Sequence, residues 1–229
     1  MWSYYGSKSK IINHYPPPKE DKIIEPFAGS ARYALKYFDR EVLLVDKYEV
    51  VVNLWKYLKD ASEGDILRLP DMNKGDDLRN MDLSTIEKTL IGFCIGRGAT
   101  GSRNTCGNFN DWNTDRQRIA RNLHKIRHWE IKLGSYDEIE NQKSTWFIDP
   151  PYQYGGEYYR KSNKDINFNI LSRWCKSRQG QVIVCENSKA DWMNFKQMIK
   201  LSGQKHTTHE VIWSNHKTAF DNEQLTIKF

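Results

Sequence analysis

Short apolar runs, each stopped by a turn or an acid, alternate along this chain with stretches whose apolar positions recur at helical spacing. Lys22-Ile23-Ile24-Glu25-Pro26-Phe27 reads as a buried strand, followed by Ala28-Gly29-Ser30 and a helix over residues 31–38. Val42-Leu43-Leu44-Val45 is a second buried run, ending at Asp46. After it Val51, Leu54, Trp55 and Leu58 line one side of a predicted helix. Strand, glycine turn, helix, strand, acid is the opening of a doubly wound α/β sheet. Apolar runs at 129–133, 145–148 and 181–185 continue the sheet, with a helix over 166–176 before the last of them. Residues 208–213 and 225–229 are expected to close it as an antiparallel pair.

Residues 61–128 have a different pattern. They contain no buried β-run, and their centre, Gly96 to Asn110, is rich in glycine and short polar residues. A helix is expected to start near Thr114, where Thr114 and Gln117 have capping-box spacing. Ile119, Leu123 and Ile126 would form its apolar stripe, with Arg118, Arg121, Lys125 and His128 as a neighbouring basic one. This predicts an inserted, mostly helical subdomain over 61–128, interrupting a catalytic domain formed by 1–60 and 129–229.

Charge changes the picture next. The chain of 229 residues carries a net +6, and the eight Arg/Lys against three Asp/Glu between Arg97 and Lys132 account for most of it. A basic cluster of this kind is the footprint expected of a nucleic-acid surface. Cys94, Cys106, Cys175 and Cys185 have no metal-ligand spacing, and the six histidines are scattered, so no metal is expected. Disulfides are possible in principle, but a reduced cytosolic protein fits these cysteines better. No apolar run approaches the roughly 18 residues of a membrane span. The expectation is a soluble, cytoplasmic protein of a bacterial or phage-infected cell.

The chemistry concentrates in Asp149-Pro150-Pro151-Tyr152, set at the end of the apolar run Thr145-Trp146-Phe147-Ile148. Two prolines fix the backbone and leave carbonyl oxygens free to accept hydrogen bonds. Asp149 adds a carboxylate acceptor, and Tyr152 a ring on which a base can stack. Together they can hold an exocyclic amine by its two hydrogens. Gly29 lets backbone approach a ligand, and Asp46, 17 residues on, can accept the hydroxyls of a ribose. Phe27-Ala28-Gly29-Ser30-Ala31 is no Gly-x-Gly-x-x-Gly, so a nucleoside suits the turn better than a pyrophosphate.

With these motifs the chain resembles the amino-methylating DNA methyltransferases, specifically the adenine-N6 enzymes of the Dam-like group (D12 class, alpha motif order). Pro26-Phe27-Ala28-Gly29-Ser30 resembles that family's S-adenosylmethionine loop, although Ala31 stands where many members have a second glycine. Asp149-Pro150-Pro151-Tyr152 resembles its catalytic motif. Tyr4-Tyr5-Gly6-Ser7-Lys8 resembles the N-terminal motif whose aromatic and lysine flank the cofactor, with Tyr4 where Dam has tryptophan. Gly134-Ser135-Tyr136-Asp137 resembles the segment that contacts the cofactor's adenine.

The resemblance implies a Rossmann-like, mixed seven-stranded sheet that binds S-adenosyl-L-methionine. It implies cofactor contacts from Tyr4, Lys8, Pro26, Phe27, Ala28, Gly29, Ser30, Asp46, Tyr136 and Asp137, and catalysis by Asp149, Pro150, Pro151 and Tyr152. The implied activity is methyl transfer to N6 of an adenine flipped out of double-stranded DNA. Arg97, Arg103, Asn104 and Asn108 of the insert are candidates for base-edge or phosphate contact, as are Arg118, Arg121 and Lys125 of the basic helix. Tyr158 and Arg160, in the glycine- and tyrosine-rich stretch after the catalytic motif, suit a flap over the flipped base. Cytosine N4 in DNA, adenine in RNA, and a catalytically silent binding module of the same fold stay open as alternatives.

Overall fold

The structure is a computed structural model of the chain and describes residues 1–2, 8, 11–96, 101–108, 110–158, 163–202 and 207–218. Its centre is a seven-stranded mixed sheet built from β1 (Lys22–Glu25), β2 (Glu41–Asp46), β3 (Glu130–Leu133), β4 (Ser144–Ile148), β5 (Gly180–Asn187), β6 (Lys196–Ser202) and β7 (Thr207–Ser214). The spatial order is β3-β2-β1-β4-β5-β7-β6. The first five strands run parallel, with Ile24 opposite Leu43 on one side and Trp146 on the other. Only β7 runs against its neighbours. Strand order reverses between β1 and β4, and ligands of such sheets bind in the crevice outside the carboxyl ends at that reversal. The architecture is the α/β, mixed seven-stranded, Rossmann-like sheet that the motifs imply.

Among the described residues six α-helices accompany the sheet: α1 (Arg32–Lys36), α2 (Glu49–Asp60), α3 (Glu63–Leu67), α4 (Thr85–Ile95), α5 (Trp112–Asn122) and α6 (Phe168–Lys176). Alternate residues of β1, β2, β4 and β5 feed two cores, as the period of two requires. Ile23, Val42, Leu44, Phe147 and Ile183 face α2 and the inserted helices, whereas Ile24, Leu43, Val45, Trp146 and Val182 face α6. Burial overrides propensity in α2. Its Val50-Val51-Val52 run disfavours helix by roughly 0.5 kcal/mol per residue. Full burial of Val51, Val52, Leu54, Trp55 and Leu58 returns about 1.5–3 kcal/mol for each side chain.

Among the described residues of 61–128 the regular elements are helices, joined by loops and an isolated bridge between Asp77 and Thr105, and their core is continuous with that of the sheet. Ser84 and Glu87 form a full capping box at the start of α4, and Ser62 and Asp65 another on α3.

Three expectations are corrected. First, α1 runs over Arg32–Lys36 rather than 31–38, because Ala31 is left-handed (φ 44°) and Tyr37 leaves helical geometry. Second, α5 starts at Trp112, so Thr114 lies inside the helix. The Asn110 carboxamide accepts from the Trp112 amide at 3.2 Å, and the buried Trp112 indole donates to Pro70 O at 2.8 Å, which fixes the earlier start. Third, β7 pairs with β6, a strand whose bulge between Gln197 and Ile199 breaks the alternation. Residues 225–229, expected as the partner, lie outside the described residues.

The four cysteines are free and buried. Among the described residues no helix is long and apolar enough to cross a membrane, and no cluster of His, Cys, Asp or Glu could hold a metal.

Candidate active site

The carboxyl edge of the sheet gathers most of the motif residues. β1 delivers Pro26 and Phe27 there, and the chain then turns through Gly29 and Ala31, both at φ 44°. Glycine takes this left-handed conformation freely, while alanine bears a cost of about 1–2 kcal/mol. That cost explains why a glycine suits the position of Ala31. The turn is tied to β2 by Ala28 N→Val45 O at 3.0 Å and by Gly29 N→Asp46 Oδ2 at 3.0 Å. The other Asp46 oxygen accepts from Tyr48 N at 2.8 Å, and the Trp55 indole donates to Gly29 O at 2.9 Å. Burial pushes the Asp46 carboxyl up, against the pull of these two amides.

Two further strand ends meet the turn. Gly134 N donates to Asp46 O at 3.1 Å, which brings the segment after β3 alongside β2. Phe27 and Tyr136 stack at 5.5 Å between ring centroids, and Trp174 packs edge-on against Tyr136 at 5.1 Å. Asp137 accepts from the Ser135 hydroxyl, and Glu138 from the Ser135 amide. Phe27, Gly29, Asp46, Tyr136 and Asp137 thus occupy one end of the crevice. The amides of α1 are less open to a ligand than expected, because Ala34 N donates to the Glu25 carboxylate at 2.6 Å. Glu25 is fully buried, and desolvation, with the Asp149 charge adding to it, raises its carboxyl to about 8.

At the other side of the reversal every residue of β4 is buried, so the strand holds Asp149 at its tip like a fixed post. Lys8 Nζ lies 2.8 Å from Asp149 Oδ1 and 3.9 Å from Glu210 Oε1. The same ammonium stands 4.7 Å over the Tyr152 ring, within cation–π range. The Tyr152 hydroxyl donates to Glu210 Oε2 at 2.7 Å. Glu210 reaches this point because β7 is antiparallel: it pairs with Asn187, the last residue of β5. Behind Tyr152, Glu186 accepts from Gln153 N at 2.6 Å, Asn187 N at 2.7 Å and the Trp192 indole at 3.2 Å. Burial raises Glu186 to about 7 despite those bonds.

The insert presents a clamped loop. Arg103 N donates to Gly92 O at 3.1 Å, Leu78 N to Asn104 O at 2.8 Å, and Cys106 N to Asp76 O at 2.9 Å. The side chains of Arg103, Asn104 and Asn108 are exposed on it. Arg118 pairs with Asp115 at 2.5 Å and donates to Met1 O at 2.8 Å, near the start of α1, where Arg32 holds Trp2 O. Arg121 is exposed and donates to Gln117 O. Lys125 lies elsewhere: its Nζ sits 4.8 Å over the Phe38 ring, and His128 contacts Arg40 O, both at the amino ends of the strands. The basic stripe therefore runs from the crevice to the opposite edge of the sheet.

Tyr4, Arg97, Arg160 and the side chain of Tyr158 lie outside the described residues. Glu210, Glu186 and Glu25 are largely or fully buried carboxylates of this region that the motifs did not single out. Glu25 was legible as an acid closing a buried strand, whereas Glu210 depends on a strand register that no local pattern reveals.

No protein-family model and no curated protein matches the chain. Among solved structures it shows similarity to a Haemophilus influenzae protein assigned as a methylase, with 11% identity, 86% of this chain and 80% of that one covered, and a TM-score of 0.38. An Escherichia coli protein assigned as a methyltransferase gives 10% identity, coverage of 90% and 78%, and a TM-score of 0.37. A conserved hypothetical protein of Streptococcus pyogenes gives 9%, coverage of 85% and 86%, and 0.37. These likenesses are slight, and the functional reading stands on the geometry of the site.

Proposed function

We propose that the chain is an S-adenosylmethionine-dependent methyltransferase acting on N6 of adenine in double-stranded DNA. The observation that carries the proposal is the convergence of Asp149, Tyr152 and Lys8 with the Asp46-tethered glycine turn at one sheet reversal. The residues present fit the cofactor. Asp46 keeps lone pairs for ribose hydroxyls beyond its two amide bonds, and Phe27 and Tyr136 offer aromatic surface to an adenine. Bound there, the cofactor would supply an electrophilic methyl group on a sulfonium that leaves as a neutral thioether, so the leaving group needs no acid.

The chain's own residues do the rest by position and electrostatics. An exocyclic amine conjugated to a purine is a poor nucleophile, because its lone pair is delocalised into the ring. Asp149 and the Pro150 carbonyl accept its two hydrogens, which favours a tetrahedral nitrogen with its lone pair free. With the methyl group moved from sulfur to nitrogen, the nitrogen would lose one proton, which Asp149, as acceptor of the amine hydrogen, would take. Tyr152 supplies a stacking face for the base, whose amine is out of reach inside a duplex. The exposed Arg103, Asn104 and Asn108, with Arg118 beside Met1, supply contacts to the polyanion.

The test is incubation with tritiated S-adenosylmethionine and unmodified duplex DNA, followed by digestion to nucleosides. Label in N6-methyladenine is expected; label only in N4-methylcytosine, or only with RNA, would overturn the reading. Asp149→Ala is expected to abolish transfer while leaving cofactor affinity within about twofold, since Asp149 faces the acceptor amine. Retained turnover in that variant would remove Asp149 from the mechanism.

A further inference from the structure

We propose that Glu210 is the second seat of the Lys8 ammonium and a positioning residue for methyl transfer: it keeps Lys8 paired when the substrate amine displaces it from Asp149. The consequence for catalysis rests on the methyl-transfer reading, whereas the pairing itself does not.

The argument starts from burial. The Lys8 side chain is 6% exposed and that of Glu210 13%, so the ammonium is held away from water. A buried charge is tolerated only with a counter-charge, and removing its partner is strongly destabilising. Lys8 is hydrogen-bonded to Asp149 at 2.8 Å. The proposed chemistry needs that same carboxylate as acceptor for one hydrogen of the amine, the other going to the Pro150 carbonyl. A carboxylate shared with an ammonium is the weaker acceptor for the amine, so Asp149 gains strength as Lys8 moves off it, provided that Lys8 keeps a counter-charge.

Glu210 stands where the displaced charge has to go. Its Oε1 is 3.9 Å from Lys8 Nζ, so a shift of about 1 Å turns a long ion pair into a hydrogen bond. Its two oxygens are divided: Oε2 accepts the Tyr152 hydroxyl at 2.7 Å, leaving Oε1 toward Lys8. The move therefore keeps the Tyr152 ring where it is. Among the described residues, the groups facing Lys8 include Asp149 after β4, Glu210 on β7, the Tyr152 ring and the Cys185 thiol on β5. Of these, Asp149 and Glu210 are the two carboxylates within ion-pair range.

Two experiments test the proposal on the full chain. The first needs no activity. Lysines are methylated with formaldehyde and borohydride, and the labelling of Lys8 is read by peptide mass spectrometry in the wild type, Asp149→Asn, Glu210→Gln and the double variant, with circular dichroism checking the fold. Lys8 is expected to stay protected in both single variants and to label at least about tenfold faster in the double one, where no carboxylate holds it. Labelling in Asp149→Asn as fast as in the double variant would overturn the second seat.

The second experiment covers a double variant that fails to fold. Glu210→Gln is expected to lower kcat about tenfold with KM for the cofactor unchanged, and to have no further effect in a Lys8→Met background. A Glu210→Gln enzyme with wild-type kcat, or an equal loss in both backgrounds, would overturn the positioning role. A wild type that methylates no DNA would instead sink the proposed function, and the labelling result would still decide the pairing.

Discussion

Glu25 sits where a charge is least welcome, fully buried behind the glycine turn, with its carboxyl raised to about 8 by desolvation. Unfolded, the same group titrates near its ordinary value of about 4.3. Between those values the folded chain holds a proton that the unfolded chain has released. Its contribution to stability is therefore fully present below about pH 4.3 and is lost as pH rises toward about 8, a change on the order of a few kcal/mol. Glu186, raised to about 7, acts with the same sign over a narrower window. Glu25→Gln keeps an oxygen for Ala34 N and removes the titration. Denaturant unfolding from pH 5 to pH 8 is expected to show a visibly flatter decline than the wild type, with Glu186, Asp46 and Glu210, whose carboxyls burial also raises, supplying the remainder. An unchanged slope would mean that Glu25 is ionised in the fold.

At the scale of elements, the clamped loop of the insert depends on Gly92. A Cβ built there would lie 1.9 Å from the Ser102 hydroxyl and 2.5 Å from the Arg103 carbonyl. Alanine inside a helix gains up to about 1 kcal/mol over glycine, but contact with backbone at that distance outweighs the gain. Gly92→Ala is therefore expected to keep its helix content and to push residues 102–104 off α4, weakening duplex binding several-fold. Circular dichroism and fluorescence anisotropy check the two halves; full affinity would place recognition elsewhere.

The elements also show what the sequence made legible. Buried runs such as Ile23-Ile24 and Val42 to Val45, each closed by an acid, locate their strands from composition alone. So do Val51, Leu54, Trp55 and Leu58 for α2, because burial and period coincide. β6 escaped because its bulge breaks the alternation, and the start of α5 because a tertiary contact of Trp112 outweighed local capping spacing. The site divides the same way. Asp149, Gly29 and Asp46 follow from motifs at strand ends. Glu210 follows only from the pairing of β7 with β5, which brings together residues 23 positions apart in the chain.

For the whole molecule, the net charge of +6 is less informative than its layout. Arg103 lies on the clamped loop and Arg118 beside Met1, whereas Lys125 lies at the amino ends of the strands. On the proposed function, a duplex delivering a base to Asp149 would meet the first two and miss the third. Replacing Arg103 or Arg118 with alanine is expected to reduce the slope of log affinity against log salt by up to about 0.9 each, while Lys125→Ala leaves it unchanged. Anisotropy titrations across a salt series measure this directly, and an effect at Lys125 equal to that at Arg103 would refute the layout. The glycine turn has one more consequence. Its Gly29 carbonyl is held by the indole of Trp55, whose ring lies 4.3 Å from Trp2 and 5.6 Å from Trp129. Three coupled chromophores thus end on the turn itself, and a ligand that shifts the turn writes its arrival into the near-ultraviolet circular dichroism of the protein, without any added dye.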